Sequence, residues 1–168
     1  GGEFSHVLFT DAWDVLYVKL LEEIVERYEA LGSPAWLAAG TMNCGNMRDT
    51  ALIDGFYDEK VPYKFPSSAM FIAEIPLVIE MYSRMNMENT HDESYALNQA
   101  WREGWWRPKI DKTCEIFQSL DKPEHIEMRY GVVYNNVTKS YPCVLHFGGG
   151  YVDPETGKDA QMLPWAKG

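Results

Sequence analysis

Cysteine is scarce. Cys44, Cys114 and Cys143 are the three in the chain, an odd number with no CxxC spacing, so neither a disulfide framework nor a structural zinc site is indicated. Clustered positive charge is missing too. Lys and Arg number 15 against 25 Asp and Glu, a net charge of −10, which excludes the basic surface that phosphate backbones and anionic membranes require. An acidic protein that binds a phosphate ester needs a cation to bridge the like charges. No apolar run approaches the roughly 18 residues of a membrane span, and there is no internal repeat or low-complexity segment. What is there is a globular composition, 46% hydrophobic and 24% charged over 168 residues, a length that fits a single domain, 1–168.

Chemistry is first suggested by the stretch from Val7 to Val15, where a short apolar run ends in two carboxylates, Asp11 and Asp14. Residues i and i+3 lie on opposite faces of a regular strand, so both carboxylates can face one point only if the chain turns there. Such a turn presents a hard, oxygen-rich site for a divalent cation. The plainer reading is a pair of turn or N-cap aspartates.

Taken in order, His6 to Thr10 reads as a buried strand. The spacing of Leu20, Leu21, Ile24, Tyr28 and Leu31 predicts a helix from Tyr17 to Leu31, stopped by Gly32. Ala35 to Ala39 is a second apolar run, so strand, helix and strand suggest a βαβ unit and an α/β protein. Ala69 to Ala73 reads as a third strand, and Pro76 suits the start of a helix with Val78, Met81, Tyr82 and Met85 on one side. Its methionines read as core filler. Asn89 to Glu93 resembles a helix cap, opening a helix from about Glu93 to Arg102. Trp101, Trp105 and Trp106 form a dense patch that suits core packing ahead of a pocket wall. Lys109 to Phe117 and Ile126 to Tyr134 read as short strands. Val144 to Gly150 reads as an apolar strand ending in His146 and three glycines, which permit backbone N–H groups to approach a phosphate. Asn136-Val137-Thr138 matches a glycosylation sequon, of consequence only in a secretory protein. Gly1-Gly2-Glu3-Phe4 spells the tetrapeptide of diguanylate cyclases but stands at the terminus without the rest of such a domain, and is set aside.

In their order and spacing, these segments resemble the glycosyltransferase domain of the procollagen lysyl hydroxylase and collagen glycosyltransferase family. Leu8 to Val15 is similar to that family's strand ending in Phe-Thr-Asp-x-x-Asp. Tyr63 to Ile72 resembles its Tyr-Leu-Asn-Ser-Gly-Gly-Phe-Ile stretch. Asp92-Glu93-Ser94 stands at its acidic run followed by Gln, Ile110-Asp111 through Ile116-Phe117-Gln118 at Leu-Asp-x(4)-Ile-Phe-Gln, and Pro142 to Gly149 at Pro-x-x-x-His-Gly-Asn-Gly.

The resemblance implies a GT-A-like mixed sheet flanked by helices and a transferase moving a hexose, galactose or glucose, from a UDP-sugar to a hydroxyl acceptor. In the family that acceptor is hydroxylysine of a collagen-like chain. It also implies that Asp11, Asp14 and His146 bind Mn²⁺, which holds the donor diphosphate. Thr10, Trp13, Ser67, Ser68, Gly148 and Gly149 would contact the donor. Asp92 and Glu93 would lie at the sugar and acceptor, as base or as orienting groups, with helix capping equally open.

Four departures bear on donor and acceptor and leave the three metal residues intact. Ser67-Ser68 stands for Asn-Ser, Gly45 follows Cys44 where the family has Cys-Trp-Pro, Phe147-Gly148 replaces Gly-Asn, and Ser94 replaces Gln. In GT-A enzymes the nucleoside is held mainly by βαβ units preceding the metal motif, and few residues precede Asp11. The chain is therefore expected to be the C-terminal two-thirds of such a domain, incomplete at its N-terminus, with the missing N-terminal segment as a partner. Two rivals remain. One is a non-catalytic, GT-A-derived binding or structural module. The other is a metal-dependent phosphohydrolase, which needs further ligands, whereas His6, His91 and His125 show no ligand-like spacing.

Overall fold

The computed structural model describes residues 4–42, 61–85 and 93–148. Strand β1 (His6–Thr10) is followed by a turn, a short β2 (Val15–Tyr17) and helix α1 (Leu21–Ala30). Next come β3 (Trp36–Thr41), β4 (Phe65–Glu74), α2 (Ile75–Arg84) and α3 (Glu93–Glu103). The rest is short strands: β5 (Lys109–Asp111), β6 (Phe117–Ser119), β7 (Ile126–Arg129), β8 (Val132–Asn135) and β9 (Val144–His146).

The expected mixed α/β architecture is present. Its main sheet has the order β1-β4-β3-β5. β4 runs antiparallel to both β1 and β3, whereas β3 and β5 are parallel. β1, α1 and β3 thus form a crossover with parallel strands, but β4 is inserted between them. A second sheet, β2-β9-β6, packs against the first, and β7 pairs with β8 as a separate hairpin.

β4 is buried on both faces, which explains its near-continuous apolar sequence. With a side-chain period of two, Met70 and Ile72 point into one core with Ile24 and Tyr28 of α1, Leu37, Phe117 and Val144. Phe71 and Ala73 point into the other, with Trp36, Met81, Leu97 and Trp106 under α2 and α3. The methionines and Trp106 are core, as expected.

Four local expectations are corrected. β1, expected to be buried, is only partly covered; among the described residues it is an edge strand that pairs on one side only, with β4. The helix predicted from Tyr17 starts only at Leu21, because Val15–Tyr17 is claimed by antiparallel pairing with β9. Leu20 and Leu21 are consequently exposed, and the buried stripe is Ile24 and Tyr28. The end of α1 is as expected. Gly32 takes a φ of 86°, its N–H donates to the Glu29 carbonyl at 2.8 Å, and Ser33 N–H reaches Tyr28 at 3.1 Å, the paired bonds of a Schellman stop. The run from Ile126 to Tyr134 is a hairpin, turned by Tyr130 and Gly131 with φ of 51° and 77°, as a two-residue hairpin loop demands.

The run from Lys109 to Phe117 is likewise two strands around a turn, organised by Asp111. Its carboxylate is 3% exposed and accepts the N–H groups of Glu115 at 3.0 Å, Ile116 at 2.8 Å and Phe117 at 2.9 Å. Burial pushes this carboxyl above its ordinary range, and the three N–H donors oppose that. Gly40, beside it, allows a close approach of backbones. A Cβ there would lie 2.6 Å from the Tyr63 carbonyl oxygen and 3.0 Å from that of Asp111.

Two stability outcomes are expected in urea titrations followed by circular dichroism. Asp111→Ala strands three N–H groups, two of them in buried bonds, and should cost roughly 3 kcal/mol. Gly40→Ala forces backbone apart and should cost about 1–3 kcal/mol. Unchanged midpoints would contradict these roles.

Candidate metal centre

β1 delivers Asp11 to the edge of the main sheet, where its N–H extends the ladder by donating to Ala69 at 2.9 Å. The chain then turns, as two carboxylates facing one point require. β2 carries it onto the second sheet, with Val15 opposite His146, Leu16 opposite Leu145 and Tyr17 opposite Val144. Phe147 N–H donates to the Asp14 carbonyl at 2.7 Å and fixes the end of that pairing. Two strand ends, one from each sheet, therefore meet.

At the meeting point Asp11, Asp14 and His146 each offer a ligand atom, all within 4.8 Å of one another. His146 Nε2 lies 3.4 Å from Asp11 Oδ2 and 3.3 Å from Asp14 Oδ2. That nitrogen is buried and makes no hydrogen bond among the described residues, although the imidazole faces two carboxylates. Ligands that share one cation at about 2.1 Å sit about 3 Å apart when adjacent, so the spacing suits an ion between them. Exposure is graded: the side chains of Asp11, Asp14 and His146 are 46%, 32% and 13% accessible. A cation would thus be gripped from below by the imidazole and remain open on the carboxylate side. Two oxygen donors and one imidazole suit a borderline divalent ion.

The other residues singled out in the sequence fall into three groups. Thr10 and Trp13 flank the cluster. The Thr10 hydroxyl is 3.2 Å from the Tyr17 hydroxyl, and Trp13, at the turn, is 99% exposed. Gly148 adjoins the imidazole, since a Cβ there would lie 3.4 Å from His146 Cε1. Ser67 and Ser68 lie on β4, just before the Ala69 carbonyl that holds Asp11; the Ser67 hydroxyl accepts the Ala69 N–H at 3.2 Å, and Ser68 is buried. Glu93 opens α3, where one carboxylate oxygen accepts from the Tyr82 hydroxyl at 2.5 Å. Burial first, and then Glu93, raise the pKa of Tyr82 well above that of a free phenol, so it stays a donor. Asp92 and Gly149 lie outside the described residues, as do Cys44 and Gly45.

Tyr82 was legible in the sequence only as a residue of an apolar helix face, because its bond to Glu93 needs α2 and α3 packed together. The two described cysteines are buried, free thiols. Burial raises Cys143 to about 11 and Cys114 well above the ordinary thiol range, and a nucleophilic cysteine needs the opposite shift.

A mixed α/β fold that gathers paired carboxylates and an imidazole at the ends of its strands is consistent with a GT-A-like domain. The family follows from comparison: residues 3–154 match the family model described as the PLOD GT domain. The chain belongs to that family, the glycosyltransferase domain of lysyl hydroxylases and collagen glycosyltransferases. No curated protein matches it. Domains of the GT-A type commonly use a divalent metal, and the Asp11, Asp14 and His146 donor set fits one.

A divalent cation that binds the folded chain stabilises it by mass action. Thermal melts should rise progressively with added Mn²⁺, by about 2.7 kcal/mol of stability at a hundredfold excess over the dissociation constant. Asp11→Asn and His146→Ala should abolish the rise. A rise that survives both substitutions would place the ion elsewhere.

Proposed function

We infer that this domain transfers a hexose, galactose or glucose, from a UDP-sugar to a hydroxyl acceptor, with Mn²⁺ held by Asp11, Asp14 and His146. The convergence of those three side chains, from opposite ends of the chain onto one point, carries the reading. The family's acceptor, hydroxylysine of a collagen-like chain, is the acceptor proposed here. When bound, the cation neutralises charge on the diphosphate as it leaves.

The protein's own groups would do the rest. Asp11 and Asp14 turn their carboxylates to the open side of the site, where a diphosphate can reach the ion they hold. His146 would contribute an imidazole nitrogen beside the two carboxylates, a donor set suited to a borderline divalent ion. Gly148, beside the imidazole, leaves room for phosphate oxygens to approach backbone N–H groups, a role that the sequence extends to Gly149. Trp13 presents an uncovered indole beside Asp11 and Asp14, suited to stacking on a flat ring such as uracil. Thr10, Ser67 and Ser68 offer hydroxyls to the donor. Glu93, with one oxygen held by Tyr82, has a second that can take the proton of an attacking hydroxyl, with Asp92 as its neighbour in that role.

The edge of the main sheet favours one refinement. Among the described residues β1 pairs on one side only, with β4. Val7, Leu8 and Phe9 on it are only partly covered, and an open, apolar edge strand is a seat for a further strand. We read it as the place where a further segment of the same domain adds and holds the uridine.

Two measurements test this. In the full-length protein, Asp11→Asn and Asp14→Asn should each abolish Mn²⁺-dependent sugar transfer and donor hydrolysis; retained transfer would sink the metal assignment. A non-catalytic module would instead keep its partner after these changes. For the 168-residue chain alone, calorimetry with UDP and Mn²⁺ should show weak binding or none, and tight binding would refute the need for a further segment.

A further inference from the structure

α2, the start of β3 and the segment after α3 border a half-open pocket of about 330 Å³. Trp36, Met81, Trp105, Trp106, Arg107 and Lys109 are among the residues that line it. It stands at the end of β4 marked by Ala73, opposite Trp36, whereas Asp11 joins β4 at Ala69. Its volume is at the lower end of pockets that hold small molecules, about 300–1,000 Å³.

The walls are short of acceptors. Trp36 and Trp106 are each 6% exposed and pack edge to face with ring centroids 5.5 Å apart. Neither indole N–H has a hydrogen-bond partner among the described residues. Both nitrogens are fully buried, so they lie behind the aromatic wall, and the donors that face a ligand are those of the rim. The rim adds cations. The Arg107 guanidinium lies over Trp101 at 5.2 Å and Lys109 Nζ donates to the Leu31 carbonyl at 2.7 Å, and each retains further N–H donors. The acidic lining residue, Glu80, is engaged by Arg84 at 2.6 Å. A donor-rich, cation-rimmed pocket in a chain of net charge −10 selects a ligand that brings negative charge. Its aromatic walls select an apolar body.

We propose that this cavity binds an organic carboxylate with a ring-sized apolar body, the carboxylate lying toward Arg107 and Lys109 and the body against Trp105 and Trp106. The site is separate from the metal cluster and does not depend on the glycosyl-transfer reading.

The test is a titration of the ¹⁵N-labelled chain with benzoate, benzyl alcohol and methyl glucoside, reading the indole N–H signals. Assignment uses Trp36→Phe and Trp106→Phe or, should either fail to fold, through-space contacts to Met81. Benzoate should move both signals, and Arg107→Gln, an exposed substitution that spares the core, should weaken it about tenfold, as loss of one charge-assisted bond does. Three results would overturn the proposal: no movement with benzoate, equal movement with benzyl alcohol or methyl glucoside, or benzoate affinity unchanged in both Arg107→Gln and Lys109→Gln.

Discussion

Val15 lies opposite His146 because β2 and β9 pair antiparallel, and that register is what turns three separated side chains into a site. β2 is only a few residues long, and its own Leu16 and Tyr17 are substantially exposed, so little apolar burial holds it. Its hold comes from the ladder to β9 and the bond from Phe147 to the Asp14 carbonyl. A slip of one residue would turn His146 to the other face of its sheet, since side chains alternate. The metal cluster thus depends on backbone pairing more than on the side chains that would bind the ion.

Behind that pairing stands a chain of supports. β9 is held by parallel pairing with β6, and β6 begins at the turn that the buried Asp111 carboxylate ties down with three N–H bonds. Asp111 in turn sits on β5, beside β3 in the main sheet. On the other side of β6, Gln118 accepts from the Asn135 amide, and the Tyr63 hydroxyl pairs with His125 Nδ1 at 2.9 Å. This polar cluster joins the β7–β8 hairpin to the strand that supports β9. Burial raises the Tyr63 phenol to about 12, which keeps it protonated and the network intact across neutral pH. Asp111 is thereby a structural carboxylate, although it lies in a segment shared with a catalytic family.

The two faces of the main sheet carry different chemistry for a simple reason. β4 sends alternate side chains to opposite sides, so each face has its own core. The face toward α1 and the second sheet ends in the acidic cluster. The face under α2 and α3 is built from tryptophans and methionines, and irregular packing of such large rings leaves the pocket rimmed by Arg107 and Lys109.

Much of this was legible locally. β1, its ending in two carboxylates, the turn they require, Gly32 as the stop of α1 and the proline-led α2 follow from side-chain period, turn chemistry and capping, which act over a few residues. The Phe-Thr-Asp-x-x-Asp stretch and its companions carried the family resemblance for the same reason: a motif is a local record of chemistry. Tertiary structure alone decided the rest. It drew Val15–Tyr17 out of the predicted helix into a sheet, because pairing with a strand remote in sequence outweighs the helical spacing of Leu20 and Leu21. It inserted β4 between β1 and β3, gave Glu93 to Tyr82, and left two buried indole N–H groups with no acceptor among the described residues. Each of these depends on which surfaces meet, and a sequence pattern records only what each surface is made of.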